Sequence, residues 1–351
     1  MNEQSLLTAE GLSFPFSKAP APGALIEVAP RVHWLRMPLP YALNHINLWA
    51  LDDGDSWTIV DSGLFTRETQ DLWERVFAGP LSEKPVGRVI CTHFHPDHMG
   101  MAGWLTEKFG IQLWATELEF ECARSTFAQN EEMMTPILTE HYRRAGLDNA
   151  VAQAVATRGN AYSRRVYPLP ERIVSVDATT LIAAAGTQWR LIIGEGHSPQ
   201  LAGLYSEELG VFISGDQVLP GISPNVSVRP TEPLSNPLEK FLATLPRFSA
   251  VPECTLVLPS HKLPFYGVQA RVSQLIAHHH ERLDITREAC KSGASVKDVL
   301  KAMFPRDFDA HQLHFALGET LAHLNYLVEN GEIEKNTDGD VDTYTTKDAS
   351  A

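Results

Sequence analysis

The chain has 351 residues, 44% hydrophobic and 21% charged, with a formal net charge of -14, and this composition excludes a disordered or fibrous protein. No stretch approaches the roughly 18 consecutive apolar residues of a membrane span, and no basic, apolar leader opens the sequence, so we expect a cytoplasmic protein. The acidic charge opposes a polyanionic partner such as DNA or RNA and favours a small-molecule substrate.

The first part of the chain is predicted to alternate between strands and helices. Apolar runs rich in β-branched and aromatic residues, bounded by Pro, Gly or Asp, predict an antiparallel meander at 24–30, 31–37, 45–51 and 56–63. The spacing of apolar residues then predicts a helix at 65–79, a strand at 87–93, a helix at 99–110 and a strand at 111–115.

A long, mostly helical stretch at about 117–166 interrupts this alternation, and we predict that it is an insertion. Strands return beyond it, and two halves of sheet and helix are typical of an α/β fold in which helices cover two packed sheets. From about Gly267 three helices and two brief strands form a winged-helix pattern. We therefore predict a domain at 1–266, which includes the insertion, and a second domain at 267–351.

The segment HFHPDH places four ligand-type side chains at the end of a predicted strand. His93 and His95 are two residues apart, so an extended chain points them the same way, while Asp97 and His98 lie where the strand turns into the next helix. A solvated turn rich in histidine is the alternative, but four such residues in six positions make chance a poor explanation.

Three later strand ends carry further ligand-type residues, which are His197, Asp216 and His261. Five histidines and two aspartates without a thiolate suit zinc, manganese or iron in a catalytic site. Seven groups exceed the needs of one tetrahedral ion. Two divalent ions with one bridging carboxylate would use all seven and leave a position for a shared water.

The motif HxHxDH, followed by a distal His, Asp and His and preceded by VDSG, resembles the metallo-β-lactamase superfamily over roughly Ile26 to His261. The resemblance implies a four-layer αββα sandwich. It also implies that Asp61 supports the metal-binding loops without being a ligand. For the two metals it implies the following ligands: His93, His95 and His197 for the first, Asp97, His98 and His261 for the second, and Asp216 as the bridge.

The predicted winged-helix-like tail is similar to the glyoxalase II-related group of this superfamily. That resemblance implies hydrolysis of a small thioester or ester by a metal-bridging hydroxide, with Asp97 and Asp216 as catalytic residues and zinc favoured over iron or manganese. The alternatives are a phosphodiesterase or endoribonuclease and a mononuclear iron dioxygenase acting on a thiol or persulfide. GHSPQ at 196–200 departs from the usual GHTxG of glyoxalase II.

Other residues are candidates for the lining of the cleft beside the predicted metal site. In the insertion and in the loop after Asp216, we predict that five residues line the substrate cleft, with packing or a homodimer contact as the alternative: Met133, Met134, Tyr142, Arg143 and Asn225. His45 is predicted to be a core histidine that could instead reach the cleft. Residues 307–334 contain no Lys or Arg, which disfavours phosphate contact by the tail.

Overall fold

The computed structural model describes residues 7–157 and 160–347. Its strands are β1 (Leu7–Ala9), β2 (Leu12–Phe14), β3 (Leu25–Ala29), β4 (Val32–Pro38), β5 (His45–Asp52), β6 (Trp57–Val60), β7 (Val86–Ile90), β8 (Leu113–Ala115), β9 (Ile173–Ser175), β10 (Leu181–Ala184), β11 (Thr187–Gly194), β12 (Leu201–Ser206), β13 (Val211–Gly215), β14 (Leu256–Pro259), β15 (Ala294–Ser295), β16 (Ile333–Asn336) and β17 (Thr343–Thr346). Its helices are α1 (Arg67–Ala78), α2 (Pro96–Met99), α3 (Ala102–Phe109), α4 (Glu117–Phe127), α5 (Glu131–Arg144), α6 (Asn149–Ala156), α7 (Pro237–Thr244), α8 (Pro246–Ser249), α9 (Val268–Cys290), α10 (Val296–Met303) and α11 (Ala310–Glu329).

Two larger sheets organise the chain. The first has the order β3-β4-β5-β6-β7-β8-β9, antiparallel from β3 to β6 and parallel from β6 to β9. The second has the order β10-β11-β12-β13-β14, antiparallel except for the parallel pair of β13 and β14. Strands β6 and β13 are buried on both faces, and their sequences are therefore nearly continuous apolar runs.

The two sheets share a hydrophobic core. Trp34 and Trp49 from the first sheet lie in one cluster with Trp189, Leu204 and Ile213 from the second. The opposite face of the first sheet packs against α1, α3 and α4, which contribute the buried side chains Trp73, Leu105 and Phe120. On the outer face of the second sheet, the Phe248 ring of α8 lies 5.7 Å from the Phe212 ring of β13. The predicted α/β sandwich is confirmed.

The described chain divides into two compact units, and both are discontinuous in sequence. The first unit comprises Met1–Ala128, Tyr162–Pro224 and Thr244–Ser273, and the second comprises Gln129–Ala161, Asn225–Ala243 and Gln274–Ala351. The stretch predicted as one insertion is therefore divided, since α4 belongs to the first unit and α5 and α6 belong to the second. The contiguous domain ranges drawn from the sequence differ from this division.

The second unit combines helices with a small sheet. Its sheet has the order β15-β17-β16, and α10 and α11 pack near it. The backbone of Lys297 donates a hydrogen bond to the carbonyl of Ala145 after α5, and Arg144 pairs with Asp342 beside β17. These contacts join the helices of the insertion to the C-terminal elements. Assignment of the tail as winged-helix-like stays a prediction.

Within the described residues, every helix is too short or too polar to cross a lipid bilayer.

Candidate metal centre

All seven predicted ligand residues belong to the first unit and follow the ends of strands. The HFHPDH segment follows β7, and His197 follows β11. Asp216 comes directly after β13, and His261 comes two residues after the end of β14. Rigid strands therefore hold the loops that carry these side chains.

The turn after the first four residues depends on one glycine. Helix α2 begins at Pro96, whose fixed φ suits the first helical position. At Gly100 a Cβ atom would lie 2.2 Å from the carbonyl oxygen of Pro96, 2.6 Å from that of Gly63 and 2.7 Å from the backbone nitrogen of Phe65. Because all three neighbours are backbone atoms, the chain cannot yield easily, and only glycine fits here.

The seven residues form two adjoining groups whose ligand atoms lie within 4.8 Å of one another in each group. The first group contains His93, His95, His197 and Asp216. In it, His93 Nε2 lies 2.9 Å from His95 Nδ1 and 3.2 Å from His197 Nε2.

The second group contains Asp97, His98 and His261. Asp97 Oδ2 lies 3.8 Å from His98 Nε2 and 3.5 Å from His261 Nε2. Asp216 contacts both groups, because its Oδ2 lies 3.5 Å from Nε2 of His197 and 3.5 Å from Nε2 of His261.

These residues fit divalent ions. Ligand atoms about 2.0–2.1 Å from a tetrahedral zinc lie roughly 3.3 Å from one another, close to the spacings within both groups. His98 Nε2 and Asp216 Oδ1 are buried and have no hydrogen-bond partner among residues 7–157 and 160–347, and a buried polar atom left in this way is costly. An ion held by the second group together with Asp216 would satisfy both atoms.

Asp61 supports the second group through a hydrogen bond to one of its histidines. Its backbone has the left-handed φ of 62°, a conformation that aspartate tolerates better than most residues. Its carboxylate accepts hydrogen bonds from the Thr92 backbone nitrogen at 2.8 Å and from His98 Nδ1 at 2.8 Å. Those bonds leave Nε2 of His98 as the nitrogen that faces the ligand cluster. That Asp61 supports a metal ligand in this way stays a prediction.

Glu119 holds the loops of the first group, and the sequence analysis missed it. This side chain of α4 is fully buried, and its carboxylate accepts hydrogen bonds from the Phe94 nitrogen at 2.9 Å, the Ser198 hydroxyl at 2.6 Å and the Gln200 nitrogen at 2.5 Å. Phe94 lies between two ligand histidines, and Ser198 follows His197. One buried carboxylate therefore ties together the two loops that carry the three histidines of the first group.

His261 is oriented by a backbone group. Its Nδ1 donates to the carbonyl oxygen of His45 at 2.8 Å, so Nε2 faces the cluster. The His45 ring is 9% exposed and lies 6.0 Å from the His261 ring, centroid to centroid. His45 is thus a buried histidine that also borders the site.

The charges of the two groups differ. Burial lowers the pKa of His93, and the neighbouring histidines lower it further. Burial also opposes protonation of His98, but the surrounding carboxylates, led by Asp61, raise its pKa well above 6.5. For His261, burial also lowers the pKa, but the negative charge of Asp216 raises it, and the net result is a raised pKa. The second group therefore attracts cations, which can be protons or metal ions.

The residues predicted to line the substrate cleft lie in the second unit. Met133 is 71% exposed on α5, and Met134 is half-buried. Tyr142 is 2% exposed and its hydroxyl bonds to a histidine of the same unit, whereas Arg143 pairs with a glutamate one turn earlier. Asn225 accepts a hydrogen bond from a nearby serine. Their role toward a substrate stays a prediction.

Two family profiles match this chain. The one described as "Metallo-beta-lactamase superfamily" matches residues 42–261, which include every ligand-type residue of the two groups. The one described as "Metallo-beta-lactamase-like, C-terminal domain" matches residues 283–347.

Similar proteins agree with these profiles. A beta-lactamase domain protein from Burkholderia ambifaria has a structure with a TM-score of 0.88 and 41% sequence identity, with 96% of this chain and 98% of that chain covered. The metallo-beta-lactamase family protein TTHA1429 from Thermus thermophilus has a TM-score of 0.76 and 27% identity, with 92% and 100% covered. The "Probable metallo-hydrolase YqjP" of Bacillus subtilis (strain 168) is 22% identical over 89% of this chain and 97% of its own length.

Proposed function

Because the chain belongs to the metallo-beta-lactamase superfamily, we propose that it is a binuclear metal-dependent hydrolase of a small thioester or ester. The position of Asp216 carries this proposal, because one carboxylate oxygen lies 3.5 Å from a histidine nitrogen of each group. A carboxylate placed in this way suits a bridge between two ions. The name of the Bacillus subtilis relative, a probable metallo-hydrolase, is in line with it.

The first group would hold one ion and the second group the other, with Asp216 shared. Histidine and carboxylate ligands without a thiolate favour zinc, with iron or manganese as alternatives. Two divalent ions bound there would supply a water that ionises near neutral pH and would polarise the scissile carbonyl. This chemistry is hydrolytic, and it needs no side chain as nucleophile.

The protein's own residues hold the ligands and handle the proton. The side chain of Asp97 is 19% exposed, against 9% for Asp216 and 0% for His98. Asp97 is thus the carboxylate of the cluster that a substrate can reach. We assign to its Oδ1 the transfer of a proton: it would accept the proton that the attacking water releases and pass it to the leaving thiol or alcohol. The buried histidines would exclude bulk water.

Thioester and ester substrates are preferred for two reasons. The first is the resemblance of the predicted winged-helix-like tail to that of the glyoxalase II-related group. The second is charge, because a chain at -14 with no Lys or Arg in residues 307–334 is poorly suited to RNA. A mononuclear iron dioxygenase is disfavoured because the second group has all its residues.

A turnover panel on metal-quantified protein tests the proposal. The panel contains thioesters, esters, lactones, phosphodiesters and single-stranded RNA. Thioester or ester hydrolysis that is lost in Asp216→Asn, but kept in a control with the same change at the exposed Asp71, is the expected result. Cleavage of RNA alone would overturn the proposed substrate class, and full turnover by Asp216→Asn would overturn the bridge.

A further inference from the structure

A pocket of about 390 Å³ within the first unit adjoins the second group of ligands. We call it the basic pocket. Its polar lining comes from Arg36, His45 and Lys262, and apolar lining comes from Phe14 and Leu263. Its volume lies in the range of sites for small organic ligands.

Strand register explains why these residues meet. Arg36 on β4 pairs with Asn47 on β5, and His45 lies two residues earlier on β5, so the three side chains share one face of the sheet. The Asn47 side-chain nitrogen donates to the carbonyl oxygens of Pro259 at 2.8 Å and Lys262 at 2.9 Å. These two carbonyls flank His261 in sequence. The same sheet face that holds the ligand loop therefore also builds the pocket.

His45 separates the pocket from the metal ligands and carries no charge. Its Nε2 accepts a hydrogen bond from the backbone nitrogen of Lys262 at 2.9 Å, and its Nδ1 lies 3.0 Å from Oδ1 of Asn44. An acceptor nitrogen on one side and a donor on the other define a neutral ring. Lys262 itself has a left-handed φ of 72°, a costly backbone conformation for a residue with a Cβ atom.

The two cations of the pocket, Arg36 and Lys262, have no acidic side chain of the described residues as a partner. Among the residues that the structure describes, no carboxylate pairs with the side chain of Arg36 or of Lys262, and Nε of Arg36 is buried without a hydrogen-bond partner. This is unexpected in a chain with 43 acidic and 29 basic residues, because acidic partners are abundant. Arg36 is only half-buried, but a guanidinium nitrogen taken out of water without a partner is costly, and a bound anion can offset that cost.

We propose that the basic pocket binds a carboxylate carried by the substrate at a distance from the bond that is cleaved. Arg36 and Lys262 would contact the carboxylate, and Phe14 and Leu263 would contact an apolar spacer. This inference rests on the proposed hydrolase function and narrows its substrate class to acyl thioesters or esters that bear an acid group.

A matched pair of substrates tests the proposal. One is the succinyl thioester of N-acetylcysteamine, and the other is the methyl ester of its free carboxylate, which differs only in charge and one methyl group. Arg36→Met and Lys262→Met should each lower kcat/KM for the charged substrate by about tenfold or more, as expected for loss of a hydrogen bond to a charged group. The neutral substrate should change by less than about twofold. Arg67→Met, at a residue with a side chain 84% exposed, is the control.

A binding measurement separates this inference from the hydrolase proposal. Calorimetry on the metal-loaded protein with glutarate and with inorganic phosphate needs no turnover. Weaker glutarate binding in Arg36→Met supports the pocket even if no thioester or ester is cleaved. Equal effects of Arg36→Met on the charged and neutral substrates, or unchanged glutarate binding, would contradict carboxylate binding in the basic pocket. Neither result would contradict the proposed hydrolase function. Tighter binding of phosphate than of glutarate, lost in Arg36→Met, would overturn the choice of a carboxylate.

Discussion

Two buried carboxylates, those of Asp61 and Glu119, support the ligand cluster through different contacts. Asp61 contacts a ligand directly, through His98 Nδ1 at 2.8 Å. Glu119 contacts only the chain around the ligands, through two backbone nitrogens and the hydroxyl of Ser198. A carboxylate can therefore orient a metal ligand by a direct hydrogen bond, or it can hold the loops that carry the ligands. Substitution of each carboxylate should weaken metal binding in a different way.

Gly100→Ala should disturb both groups of ligands and should have the largest effect on metal binding. Its new Cβ atom would approach three backbone atoms at 2.2 to 2.7 Å, so the HFHPDH turn must move. We expect metal binding at both groups to fall beyond detection and the melting temperature to drop. Zinc titration and thermal unfolding measure this. Gly339→Ala, where the added atom meets nothing nearer than 3.7 Å, is the control, and normal zinc binding by Gly100→Ala would refute the steric argument.

Asp61→Asn should act on the second group. The amide keeps the shape but cannot accept every hydrogen bond that the carboxylate accepts from Thr92 and His98. Loss of such an outer partner weakens metal binding by about 10–100-fold. Stepwise zinc titration should show one site weakened and the other nearly unchanged. Equal weakening of both sites would contradict a role that acts mainly through His98.

Glu119→Gln should act on the first group and more weakly, since no ligand is touched. Its amide would place N–H donors against donors of the chain, which leaves part of the set from Phe94, Ser198 and Gln200 unpaired. We expect the affinity of the first site for zinc to fall by about tenfold. The absorption spectrum of the cobalt-substituted protein reports ligand geometry independently of turnover.

Ser198→Ala is the graded control for Glu119→Gln, because it removes one of the three donors and leaves the two backbone bonds in place. Its effect should be smaller than that of Glu119→Gln. A weakened second site with an intact first site in Glu119→Gln would contradict the assignment of Glu119.

The pH dependence of the metal-free protein should be the smallest of these effects. The pKa of His98 is raised above 6.5 in the fold, so its contribution to stability is full below pH 6.5 and is lost as pH rises through the raised value. His261 acts in the same direction. Thermal unfolding in chelator from about pH 7.5 to 9, above the range in which a histidine of lowered pKa such as His93 affects stability, should therefore show falling stability, and Asp61→Asn should flatten the curve. A rise of stability across this range would contradict the sign.

How much the sequence could predict differs between the two carboxylates. Asp61 was predicted because it ends a strand in the VDSG segment and matches a family position. Glu119 follows a short strand within a stretch of ordinary helical composition, and its partners are 25 to 81 residues away. Only the packing of α4 beneath both loops reveals its role, and no local pattern carries that information.

The ligands and the sheets were predictable for a related reason. Each predicted ligand follows an apolar run of β-branched residues, so the same short segment predicts both a strand and a ligand-type residue at its end. Arg36 gave no such signal, because one arginine in a strand is typical of a solvated face. Its lack of a carboxylate partner and the pocket around it exist only after β4 and β5 are paired and the His261 loop is packed against them.

Metal stoichiometry measured on the same sample as hydrolysis tests the central claim most directly. The account predicts about two zinc ions per chain together with thioester or ester cleavage, and loss of both metal and turnover in Asp216→Asn. A single iron per chain with oxidation of a thiol, or an Asp216→Asn protein with two zinc ions and full turnover, would contradict it.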